Sequence, residues 1–81
     1  MMNEEIRIQI DLRNMPDLSK RPKKVIEKVS SLESGDLAEI ISDDPRREKV
    51  APQMANAIGI VEHVKTWYGD DGLYHTVIRK K

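Results

Sequence analysis

The sequence predicts a two-layer α/β sandwich, a four-stranded mixed sheet with two helices on one face, in the order β-α-β-α-β-β. Three observations lead there. Ile6, Ile8 and Ile10 alternate with Arg7, Gln9 and Asp11, the period of two of a half-buried strand. Two later stretches change to helical spacing. Near the C-terminus, two runs rich in β-branched and aromatic residues flank the turn cluster Tyr68-Gly69-Asp70-Asp71-Gly72, which reads as a hairpin. The 81 residues are expected to form a single domain over 1–81, close to the lower limit for folding on one core.

The first strand is expected to end near Leu12, which we assign to the opposite face, and Pro16 marks the loop that follows. Pro22, Val25, Ile26, Val29 and Leu32 form one helical face, with Ser19 as N-cap, Pro22 in the first turn and Gly35 as the stop. Leu37 to Ser42 is a short apolar run and reads as the second strand. Asp43-Asp44-Pro45 is a helix-start signal. Val50, Met54, Ala57 and Ile58 give a second stripe, interrupted by Pro52. The expectation is a single turn after Pro45, then a fresh helix with Pro52 near its start that ends at Gly59, because Pro within a helix costs about 3 kcal/mol. Ile60 to Trp67 and Leu73 to Arg79 are the hairpin strands. A right-handed crossover between the first two strands places both helices on one side.

Composition narrows the function classes. Hydrophobic residues make up 38% and charged residues 35%, which allows a core because the apolar residues fall in patterned blocks. With no Cys, disulfides and Cys-based zinc sites are excluded. Fourteen basic residues balance fourteen acidic ones, so no whole-molecule attraction to nucleic acid or membrane is expected. The start, MMNEEIRIQI, does not read as a signal peptide, and no apolar run approaches the roughly 20 residues of a membrane span. The expected compartment is the cytoplasm.

The ordered set Ile10-Asp11-Leu12-Arg13, Ser34-Gly35-Asp36, Ile40-Ile41-Ser42-Asp43-Asp44-Pro45, Pro52 and Val77-Ile78-Arg79-Lys80 resembles the TusA/SirA/YedF-like small sulfur-carrier proteins over about residues 6 to 80. That family shares the β-α-β-α-β-β order and carries persulfide sulfur on the Cys of a Cys-Pro-x-Pro segment at the start of the first helix, where free N–H groups favour a thiolate. The corresponding segment here reads Met15-Pro16-Asp17-Leu18-Ser19-Lys20-Arg21-Pro22. Counting from the strand puts Asp17 at the Cys position, counting back from Gly35 puts Leu18 there, and matching Pro22 puts Ser19 there. None is a Cys, so the resemblance implies a non-catalytic relative that keeps a partner-docking surface, with a sulfurtransferase or sulfur-relay protein as the partner class. No enzyme activity and no cofactor are expected.

The candidate binding residues are Arg13, Ser19, Lys20, Arg21, Lys23 and Lys24 at the start of the first helix, with Asp43 and Asp44. So many cations at a helix N-terminus have the wrong sign for its dipole. An anionic ligand, an acidic partner surface, or Asp43 and Asp44 could relieve that. The Asp pair reads as helix capping rather than acid–base or metal chemistry. Arg46, Arg47 and Lys49 with Glu48 read as a solvated face. His63 and His75 lie on adjacent hairpin strands, near enough for a two-His metal site, but without a third ligand no metal is expected. Ser19 as a nucleophile would need an adjacent base, so capping is the favoured reading. Trp67, Tyr68 and Tyr74 read as cross-strand packing, against base stacking. The alternative function is an RNA- or anion-binding module using the basic helix start. The same element order occurs in the C-terminal domain of a bacterial translation initiation factor.

Overall fold

The computed structural model describes residues 5–81, the side chains of 47 and 48 excepted. The first four of the ten residues in the leader reading and the Arg47 side chain therefore lie outside the described residues. The elements run β1 (Ile6–Asp11), a 3-10 turn (Leu18–Lys20), α1 (Arg21–Val29), β2 (Leu37–Ser42), α2 (Arg47–Ile58), β3 (Val61–Tyr68) and β4 (Tyr74–Lys80). The four strands form one sheet in the order β1-β2-β4-β3. β1 and β2 are parallel, and β4 runs antiparallel to both β2 and β3. The expected mixed sheet with two helices on one face is the observed fold.

The core lies between that face and the helices. Ile10, Ala38, Ile40, Ile78 and Val61 from the four strands cluster with Val25 and Val29 of α1 and Met54 and Ala55 of α2. Only alternate strand residues reach this layer: in β2, Ala38, Ile40 and Ser42 are fully buried while Glu39 and Ile41 are half-buried on the other side.

Strand details depart from the sequence reading at three points. Leu12 does not leave the inner face. It follows Ile10 by two residues, which is the same side in a period-two strand, and it is fully buried, with its N–H donating to the Ile41 carbonyl at 2.9 Å. Ile6 does change sides, because a bulge pairs Ile6 with Leu37 but Ile8 with Ala38, and the extra residue reverses the alternation. Ile6 is thus exposed against Leu37 and Val77 on the open face. A second bulge separates the pairs His63–Ile78 and Lys65–Val77 in the hairpin.

The helices also differ from their sequence reading. α1 stops at Val29, six residues before Gly35, as the Ser30 and Ser31 hydroxyls donate to the carbonyls of Ile26 and Lys28, a back-bonding that competes with further helix. The expected turn at Pro45 and Arg46 is followed by α2, and Pro52 stands well inside that continuous helix rather than near its start. Pro52 is exposed, so its ring meets solvent, and the cost is one missing backbone bond. The buried stripe of α2 is Ala51, Met54 and Ala55, while Ala57 is exposed. Gly59 ends α2 at φ 82°, the left-handed conformation that stops helices and suits glycine.

Candidate functional site

The start of α1 is built around a buried arginine. The Arg21 side chain is only 8% exposed. Its Nε donates to the Met15 carbonyl at 2.9 Å and its Nη1 to the Ser42 hydroxyl at 3.2 Å. Its Nη2 lies 3.5 Å from Asp43 Oδ1, and the Asp43 side chain is 57% exposed. The guanidinium therefore ties the loop before α1 to the C-terminal end of β2, as expected where two parallel strands open on one sheet edge. Ser42 Oγ also accepts from the Asp44 N–H at 3.1 Å, so one buried hydroxyl holds both the helix start and the corner after β2.

The two aspartates divide the expected roles. Asp44 caps the next turn: its Oδ1 accepts from the Arg46 N–H at 3.0 Å, and the Arg46 guanidinium binds both carboxylate oxygens. The Arg46 side chain holds the Asp44 carboxyl below the usual carboxylate range against the opposing pull of burial. Of the two, Asp43 hydrogen-bonds at the first-helix start, to Arg21, while Asp44 acts on Arg21 and Asp43 on Arg13 through charge alone. Arg13 turns instead to Asp11, with Nη2 2.6 Å from Oδ2, and this hydrogen bond draws the Asp11 pKa down to about 2. Lys24 Nζ donates to the Asp11 carbonyl at 3.0 Å. Lys20 and Lys23 are exposed, and neither has an ion-pair partner among the described residues. Neither Asp43 nor Asp44 therefore pairs with the exposed lysines of the basic cluster.

The three positions matched to the family cysteine take separate roles. Asp17 caps the 3-10 turn, accepting from the Ser19 N–H at 3.1 Å and the Ser19 hydroxyl at 2.6 Å. Ser19 is thus not the N-cap of α1, which begins after Lys20 with no side-chain cap. Ser19 stands inside the turn that Asp17 caps, its hydroxyl donating to a carboxylate. Leu18 points its bulk outward, 42% exposed, at the mouth of a groove of about 450 Å³ between α1 and α2. The groove is walled by Pro22, Ile26, Val50, Met54 and Ile58, with Arg21, Asp44 and Arg46 among its lining residues. The sequence placed Ile26 on a buried stripe, but it is 38% exposed and lines this groove.

A second cluster, on the open sheet face, was missed by the sequence reading. His75 on β4 sits between two carboxylates, Nδ1 3.2 Å from Glu39 Oε2 and Nε2 3.0 Å from Asp71 Oδ2. Burial works against a charged ring here, but the hydrogen bonds and charges of Asp71 and then Glu39 outweigh it and raise the His75 pKa. The His75 ring stacks on Trp67 at 5.2 Å between centroids, and Lys65 Nζ lies 5.0 Å from the Trp67 ring. Gln9 Nε2 donates to the other Glu39 oxygen at 2.7 Å, so residues from all four strands join one row. Gly69 makes room for it: a Cβ there would lie 2.7 Å from Asp71 Oδ1 and 2.8 Å from His75 Nε2. The i, i+4 spacing of Asp71 and His75 across the turn was the available signal, but Glu39 and Gln9 needed the sheet register.

That register separates the two histidines. His63 is opposite Ile78 on the helix side, with Nε2 2.8 Å from the Thr66 hydroxyl, whereas His75 is opposite Trp67 on the open side. A metal shared by the two histidines is ruled out by this geometry, and no group of three or more His, Asp or Glu side chains among the described residues is placed to hold a metal ion. The aromatic trio splits in the same way: Tyr68 and Tyr74 pair across the strands at 4.9 Å, on the face opposite Trp67. No described helix is long and apolar enough to cross a membrane.

No family model matches this chain, and neither the curated proteins nor the solved structures include a match to it.

Proposed function

We propose that this protein is a non-catalytic relative of the TusA/SirA-like sulfur carriers, acting in the cytoplasm as a docking module for an acidic protein of the sulfur-relay class, without carrying sulfur itself. One observation supports the docking surface above others. Lys20 and Lys23 stand exposed on a flank of α1 shared with Met15, Lys24, Glu27 and Lys28, while Arg21 is anchored and Arg13 is neutralised by Asp11. Two cations with no ion-pair partner among the described residues, on a flank rich in lysine, suit an acidic partner surface. The matched position can offer only a capping carboxylate, an alkyl group or a hydroxyl held by that carboxylate, none of which holds sulfane sulfur.

The test is binding to a sulfurtransferase from the native cell, measured by calorimetry with the wild type and a Lys20→Glu/Lys23→Glu variant. Rim charges act mainly through association rate and salt dependence, so the variant should bind roughly tenfold more weakly at low salt and keep its thermal transition. Equal affinity would remove the surface from the docking reading. Tight binding to single-stranded RNA, with affinity collapsing as salt rises, would favour the nucleic-acid alternative instead.

A further inference from the structure

The groove between α1 and α2 has the makings of a ligand site that the docking reading neither needs nor explains. Its volume of about 450 Å³ lies in the range of small-molecule pockets, which are mostly apolar with a few placed polar groups. Leu18, Pro22, Ile26, Val50, Met54 and Ile58 supply the apolar walls. Exposed Leu and Ile side chains that face each other across such a gap lose contact with water only when something fills it.

The polar end is unusual. Arg21 is a charged side chain more than nine-tenths buried. A buried charge is costly unless it is paired with good geometry. A guanidinium has five N–H donors, and three acceptors reach this one: a backbone carbonyl, a hydroxyl, and Asp43 at 3.5 Å. The last is at the limit of a hydrogen bond, from a carboxylate more than half exposed. The nearest other cation of the groove, Arg46, already binds both oxygens of Asp44. The groove therefore combines an apolar body with one buried cation whose hydrogen-bonded carboxylate, Asp43, is poorly placed, and on which Asp44 acts through charge alone.

We propose that this groove binds a small monocarboxylate with a linear apolar tail, its carboxylate bonded to Arg21 in the place that Asp43 fills only loosely, and its tail along Ile26, Val50 and Ile58. A single negative charge fits better than a phosphate. Asp44 lines the groove and Asp43 already faces Arg21, and a second charge on the ligand would meet them without a further free cation to offset it. A tail of roughly ten carbons matches the size class of the groove.

Decanoate is the probe, titrated below its aggregation concentration into the isotope-labelled full chain and followed by amide chemical shifts. Saturable shifts at Leu18, Ile26, Ala57 and Ile58 are expected. Decanol, with the same tail and no charge, should bind at least about tenfold more weakly, as a hydrogen-bonded charge contributes that much. Arg21→Gln should weaken decanoate to the level of decanol. Because Arg21 is also an anchor, Ala57→Trp provides the second variant: Ala57 is exposed and lines the groove, so the indole should occupy it and abolish the shifts while the fold persists. The Lys20→Glu/Lys23→Glu variant should bind decanoate within about twofold of wild type, since both lysines are exposed and neither lines the groove. The proposal is overturned by absence of saturable shifts, by shifts that map to the open sheet face, by decanol binding as tightly as decanoate, or by Ala57→Trp binding unchanged.

Discussion

Replacing Arg21 by Met separates two accounts of what fixes the start of α1. In one, the ion pair with Asp43 holds it. In the other, the hydrogen bonds to the Met15 carbonyl and the Ser42 hydroxyl do so. The distances favour the second, being 2.9 and 3.2 Å against 3.5 Å for the carboxylate. An ion pair to a partner 57% exposed is worth little, about 0–1 kcal/mol. Two hydrogen bonds from a charged donor contribute roughly 1.5–3 kcal/mol each in favourable cases. Met fills much of the arginine volume, and Ser42 Oγ keeps the Asp44 N–H as a partner, so the lower part of that range applies. Arg21→Met should therefore cost about 3 kcal/mol, and Asp43→Asn less than about 1 kcal/mol. In a domain of this size each kilocalorie lowers the melting temperature by about 4–8 °C. Urea denaturation of the three proteins at neutral pH measures the difference through the midpoint, with an unchanged slope certifying the same unfolding. If Asp43→Asn costs as much as Arg21→Met, the ion pair is the anchor and the reasoning from distance fails.

Two further outcomes follow from the same geometry. His75 has a folded-state pKa above its ordinary 6.5, so the stability it contributes is fully present below 6.5 and is lost as pH rises through the folded value. Asp71 is lowered from its ordinary 3.8 by the His75 hydrogen bond, so its share is present above 3.8 and lost on acidification. Thermal melts across pH should thus show a benefit of wild type over His75→Gln that is greatest between about pH 4 and 6.5, and a gap that is flat with pH would contradict the charged bridge. Pro52→Ala should raise stability, by up to about 3 kcal/mol in the limit of an ideal helix interior, because α2 runs unbroken through an exposed proline. A loss of stability in the urea midpoint would show that the ring itself packs.

Much of the fold could be read from single-residue patterns, because periodicity and turn chemistry are local. The run Leu37–Ser42 and the Gly59 stop coincide with observed boundaries. The hairpin strands start and end within a residue of their sequence limits. Local reasoning failed where a neighbouring strand decided the outcome. Ile6 sits on the open face only because β2 imposes a bulge. The continuity of α2 through Pro52 rests on packing against β3 and β4, which propensity does not see.

For the candidate site, the sequence alone determined that no thiol can stand at the first-helix start and that basic residues crowd it, since composition and chain order need no folding to be known. Only the tertiary structure decided that Arg21 is buried while Lys20 and Lys23 are not, that Asp43 and Asp44 serve different arginines, and that His63 and His75 lie on opposite faces of the sheet. Those outcomes depend on which side of a strand or helix a residue occupies. Such placements are set by the packing of residues remote in sequence, so no local pattern encodes them.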